Sequence, residues 1–123
     1  MEEIEYVFDS YAIVEILKKN EKYNPYLEYD VYMTVYNLAE IYYSVLNEHG
    51  EEKANIVFDK YRDCVCEIED DVLKEAMKFR KEHKKQDISY ADAIGHTYAK
   101  MHSMKFLTGD KEFELMENVE FVK

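Results

Sequence analysis

The sequence predicts an α/β fold, with a mainly parallel sheet of about five strands and helices on both of its faces. Three observations lead there. Short β-prone apolar runs alternate along the whole chain with stretches whose apolar residues recur every three or four positions. The connections are short, with only three glycines and one proline to punctuate them. Finally, the first strand-like run feeds straight into a helix start, the opening half of a βαβ unit.

Each element has its own local reason. IEYVF, Ile4 to Phe8, is a short apolar strand ending at Asp9, and Ser10 caps the helical pattern YAIVEILKKN that follows. Asn24 and Pro25 mark a turn into a brief helical segment near Tyr26 to Glu28. VYMTV, Val31 to Val35, is the second strand. It runs into a helix from about Tyr36 to Glu48, with Leu38, Ile41, Val45 and Leu46 as inward stripe and Glu40 in its first two turns. His49 and Gly50 end that helix, and Glu51 to Tyr61 forms the next, with acids in its first turn.

CVCEI, Cys64 to Ile68, is the third strand. Asp70 and Asp71 provide a capping start for a helix to about His83, with Val72, Leu73, Ala76, Met77 and Phe79 as its apolar side. Ser89 caps a further helix in which Tyr90, Ile94, Tyr98 and Met101 recur at helical spacing, alanines permit close packing, and Asp92 lies in the first turn. The fourth strand, Lys105 to Thr108, gives way to Gly109 and Asp110. A short helix near Lys111 to Met116 precedes the last strand, Val119 to Val122.

Composition bounds the function. With 123 residues, 47% of them hydrophobic, the chain can build one core and is read as one domain, 1–123. It has no apolar run long enough to span a membrane and no leader pattern, so a soluble cytoplasmic protein is expected. Cys64 and Cys66 lack partners at metal-finger spacing and read as structural thiols. A net charge of −11 argues against coating nucleic acid by phosphate neutralisation. The charge is unevenly spread, however: residues 1–73 hold 18 acids and 6 bases, residues 74–123 hold 9 and 10. Lys74 to Gln86, KEAMKFRKEHKKQ, is the basic strip where a nucleic acid would touch, with Lys78 and Arg80 as candidate contacts.

The acids form the constellation that carries chemistry. Asp9 and Asp110 follow the C-terminal ends of predicted strands, and Glu40 and Asp92 lie in the first turns of helices, so a parallel sheet brings all four to one edge. Singly, each reads as a cap or as a complement to a helix dipole. Together, four carboxylates with no bases between them repel, raise one another's pKa values, and invite a hard divalent cation such as Mg²⁺ or Mn²⁺. Such a site activates water for phosphodiester hydrolysis. No Ser or Cys nucleophile with a His and an acid is evident, nor is a glycine-rich phosphate loop.

YVFDSYAIVEIL around Asp9, NLAEIYYSV around Glu40, ISYADAIGHTYA around Asp92 and FLTGDKEF around Asp110 stand in the order found in PIN domains. Over essentially its whole length the chain resembles that family, and within it the small ribonucleases of the VapC toxin type. The resemblance implies an αβα sandwich, a homodimer, an antitoxin partner, and metal-dependent cleavage of single-stranded RNA. It implies that Asp9, Glu40, Asp92 and Asp110 hold Mg²⁺ or Mn²⁺, while Ser10 and Thr108 orient carboxylates. His96 departs from the pattern: one turn after Asp92, it is either a substrate contact or a structural histidine. Asp87 reads as a fifth acid or a cap. The rival functions are a PIN-fold binding or assembly module that does not cut, and a metal-dependent DNA nuclease.

Overall fold

The computed structural model describes residues 3–123. Three parallel strands, β1 (Tyr6–Phe8), β2 (Lys105–Thr108) and β3 (Val119–Phe121), lie in that order. Helices α1 (Ser10–Leu17), α2 (Val35–His49), α3 (Glu51–Tyr61), α4 (Asp70–Glu82) and α5 (Tyr90–Met101) cover them.

Strand periodicity divides the core into two. Tyr6, Phe8 and Leu107 point to one face and pack with Ile13, Leu38, Ile41 and Val57 from α1, α2 and α3. Val7 and Phe106 point to the other and pack with Val72, Ala76, Ala93, Ile94 and Phe113. A strand buried on both faces must be apolar throughout, which is why YVF and FL are unbroken. The two clusters make the three layers, helix, sheet and helix.

Two of the five expected strands do not form ladders. Tyr32 makes one parallel bridge to Val7, and Met33 makes one to Val65. Backbone bonds continue the sheet direction at those points: Phe8 N donates to the Tyr32 carbonyl at 2.8 Å, and Cys66 N to that of Met33 at 2.7 Å. Neither segment is free to pair further. Thr34 leaves the sheet to cap α2, and the start of CVCEI is taken up by a 3₁₀ turn, Arg62–Cys64. Cys64 and Cys66 are half-buried free thiols flanking that single bridge.

Several ends also shift. Asp9, not Ser10, caps α1, its carboxylate accepting from Ala12 N at 2.8 Å. Glu69 holds the cap position of α4 without a side-chain bond, so Asp70 and Asp71 act only on the first turn. The segment around Pro25 is a 3₁₀ helix, Glu21–Tyr26, started by Asn20, and the one after Asp110 is a 3₁₀ turn, Lys111–Phe113. Among the described residues, no helix is long and apolar enough to cross a membrane.

Candidate active site

Asp9 leaves the C-terminal end of β1 with its carboxylate almost fully buried, at 1% exposure. One oxygen accepts from Ala12 N, and the other accepts from the Thr108 hydroxyl at the end of the neighbouring β2. The same hydroxyl oxygen accepts from Asp110 N at 3.0 Å, and Asp110 in turn accepts from Glu112 N at 3.0 Å. Thr108 therefore ties the first acid to the loop that carries the last. Gly109 makes that loop possible: a Cβ there would lie 2.1 Å from the Tyr11 ring and 2.5 Å from the Val122 carbonyl, so no side chain fits.

Asp92 stands in the first turn of α5, behind the Ser89 cap, whose hydroxyl accepts from Asp92 N at 3.1 Å. One turn on, Gly95 lets α5 press against β2, since a Cβ would come within 2.9 Å of Phe106. Glu40 is exposed in the second turn of α2 and accepts from Ser10 Oγ at 2.6 Å. Behind this pair lies a polar chain that sequence reading missed. Fully buried Asn37 donates to Ser10 Oγ at 3.3 Å, and a capping box with Thr34 locks Asn37, the Thr34 hydroxyl donating to its Oδ1 at 2.7 Å. The signal was present as T-x-x-N before an apolar helix.

Asp9, Glu40, Asp92 and Asp110 thus line one cleft at the C-terminal edge of the parallel sheet, together with Ser10, Tyr11, Gly109, Lys111 and Lys123. Burial and the neighbouring carboxylate of Asp92 hold Asp9 well above the usual carboxylate range, against its bonds from Thr108 and Ala12. Burial, then Glu40 and Asp110, push Asp92 up to about 7. As they stand, no three His, Cys, Asp or Glu side chains among the described residues are placed to hold an ion together. The donor chemistry nevertheless fits a divalent ion. All four groups offer hard carboxylate oxygens, and two of them are short of positive charge.

The remaining predicted contacts lie elsewhere. His96 is buried between the rings of Phe79 at 4.8 Å and Phe113 at 5.3 Å, with Phe106 at 5.8 Å, and its Nδ1 has no partner among the described residues. Burial pushes it down to about 4. It is a core residue because Phe79 of α4, Phe106 of β2 and Phe113 of the following turn close around it, and it does not line the cleft. Lys78 is exposed and paired with Glu75 at 3.1 Å. Arg80 donates to the Ile88 carbonyl at 2.9 Å and lies 4.0 Å over the Tyr90 ring. Neither lines the cleft. Exposed Asp87 neither caps α5 nor reaches the cleft.

A three-layer α/β fold with carboxylates gathered at the strand ends defines a class, and the sequence profile described as PIN domain matches residues 6–119. The chain belongs to the PIN domain family. Its fold is similar to that of a toxin-antitoxin complex from Klebsiella pneumoniae, at 18% identity and a TM-score of 0.73 over 94% of this chain and 95% of that one. It is similar also to VapBC2 from Rickettsia felis bound to a DNA fragment from its promoter, at 19% and 0.73, over 98% and 100% of the two chains. DNA-bound VapBC from Salmonella typhimurium is a third, at 15% and 0.72 over 98% of each. No curated protein matches the chain.

Proposed function

We propose that this chain is a metal-dependent endoribonuclease that hydrolyses phosphodiester bonds of single-stranded RNA, as the toxin of a toxin–antitoxin pair. One observation carries the reading: four carboxylates from four separate elements line a single cleft, with Asp9 and Asp92 both pushed toward the protonated form. Burying Asp9 and most of Asp92 beside other carboxylates, with no ion pair to either among the described residues, is costly, and function is the usual reason to keep such a group.

In this reading Asp9, Asp92 and Asp110 would hold Mg²⁺ or Mn²⁺, with Glu40 acting on the ion or on its water. When bound, the ion supplies Lewis acidity that activates water and neutralises the leaving oxygen. The chain does the positioning. Thr108 and Ala12 N fix the two Asp9 oxygens, and Ser10, anchored by Asn37, aims Glu40. The proposal extends to an antitoxin partner, by analogy with the toxin–antitoxin complexes that share the fold, and, on the family resemblance of the sequence alone, to a cytoplasmic homodimer.

Calorimetric titration of Mn²⁺ into wild type and Asp92→Asn, with cleavage of a mixed single-stranded RNA in the same buffers, tests the reading. Binding and cleavage in wild type, both lost in the variant, are expected. Binding without cleavage would replace the nuclease with a non-cutting PIN module, and absence of binding would return the four acids to capping roles.

A further inference from the structure

Two cations share the cleft with the four acids. Lys111 follows Asp110 directly, and Lys123 arrives from the end of β3. Both are exposed, and neither forms an ion pair among the described residues. Lysines beside clustered carboxylates ordinarily pair with them. Here the acids take hydrogen bonds from other donors instead: Asp9 from Ala12 N and Thr108, Glu40 from Ser10, Asp110 from Glu112 N. The two ammonium groups remain available.

Their backbones are nevertheless held. Lys111 opens the 3₁₀ turn whose Phe113 is fully buried, and its carbonyl accepts from Glu114 N at 3.2 Å. The segment before Lys123 is fastened twice, Val122 N donating to the Thr108 carbonyl at 2.9 Å and the Tyr23 hydroxyl donating to the Val122 carbonyl at 2.6 Å. Lys22 Nζ donates to the Lys123 carbonyl at 3.1 Å. The result is two exposed charged side chains on fixed bases, lining a cleft in a chain of net charge −11.

We propose that Lys111 and Lys123 are the phosphate-binding residues of this site, a two-point clamp that holds the substrate's sugar–phosphate backbone across the acids. The inference rests on the nuclease reading and names where a polyanion gains purchase on an acidic protein. Attraction to an ammonium group falls off within a Debye length, so a cation at the cleft counts for more than one on a distant face. The basic strip of α4 does not reach the cleft. Lys111 and Lys123 do.

The experiment follows cleavage and anisotropy of one fluorescent single-stranded oligoribonucleotide in Mn²⁺, from 50 to 200 mM salt, on the full chain. Wild type, Lys111→Gln, Lys123→Gln, the double variant and the two Lys→Arg variants are compared, with Mn²⁺ affinity measured alongside. Each Gln variant is expected to raise KM more than it lowers kcat, and to flatten the slope of log affinity against log salt by about 0.7 per lysine. Arg restores both, and Mn²⁺ affinity stays at the wild-type value. An unchanged salt slope in the double variant, beside normal wild-type binding, would overturn the clamp and leave the nuclease standing. A Mn²⁺ affinity that moves with the lysines would also overturn it, since they would then act on the acids. If wild type binds the oligonucleotide through the lysines but never cuts it, the clamp survives and the nuclease reading fails. If it does not bind at all, both fail.

Discussion

Asp92 and His96 stand one turn apart on α5, and burial drives both toward the neutral form: the carboxylate rises to about 7 and the imidazole falls to about 4. Their surroundings differ. Asp92 opens onto Glu40 and Asp110, whose charges add to the effect of burial. Around His96 the walls are the rings of Phe79, Phe106 and Phe113, and the charges acting on it are those of Lys100 and His83. At Asp92 the helix thus faces other carboxylates, and one turn on, at His96, it faces packing that excludes charge. A shifted pKa by itself does not distinguish them; the sign and number of the neighbouring charges do.

The contrast breaks most sharply at the cleft. Asp9→Asn should leave the protein folded and lower the cleavage rate by on the order of 10³-fold or more, read in a single-turnover assay with Mn²⁺. Metal-free Asp92→Asn should be more stable than wild type at pH 8 by about 3 kcal/mol, seen as a higher urea midpoint, because it deletes a buried charge facing two others. Saturating Mg²⁺ should erase that advantage, since the ion stabilises only the carboxylate form.

The pH dependence sharpens the comparison further. A carboxyl whose folded pKa is raised keeps its proton after the unfolded chain has lost it, so Asp92 contributes stability that is lost as pH rises from 3.8 to about 7. His96, with its folded pKa lowered, does the reverse, and stability is lost as pH falls from 6.5 to about 4. Between pH 4 and 6.5 the two slopes oppose each other, each about 1.4 kcal/mol per pH unit. His96→Phe should therefore steepen the loss of stability with rising pH in that window, and Asp92→Asn should flatten or reverse it. Urea titrations at half-unit steps read this directly. The smallest effect is that of His96→Phe at pH 7.5, where the ring is neutral: stability within about 1 kcal/mol of wild type and an unchanged Mn²⁺ affinity.

The same helix shows what local pattern can and cannot convey. The Ser89 cap and the three-residue step to Asp92 are local facts, and the structure forms them as the sequence indicates. Helical periodicity places His96 on the Asp92 side, but Phe79 and Phe113, from α4 and from the turn after β2, decide that this level of α5 faces a core. The strands show the same limit. VYMTV and CVCEI have β-prone composition, yet composition cannot separate a ladder from a single bridge when Thr34 is needed as a cap. Lys123 was unreadable for a similar reason: the pairing of β3 with β2, the bond from Val122 N to Thr108 and that from the Tyr23 hydroxyl to Val122 bring the end of β3 to the acids.

The bond from Thr108 to Asp9 joins positions 99 apart in the chain, and among the described residues β1 has no regular partner other than β2. Contacts between such distant segments are slow to form, because the chain between them must be closed into a loop first. On a ribosome this sets a timetable: α1 through α5 can emerge and pack while Asp9 still waits for the strand that completes its surroundings. The cleft is among the last parts of the molecule to assemble, so a chain interrupted before β2 carries three of the four acids and no working arrangement of them.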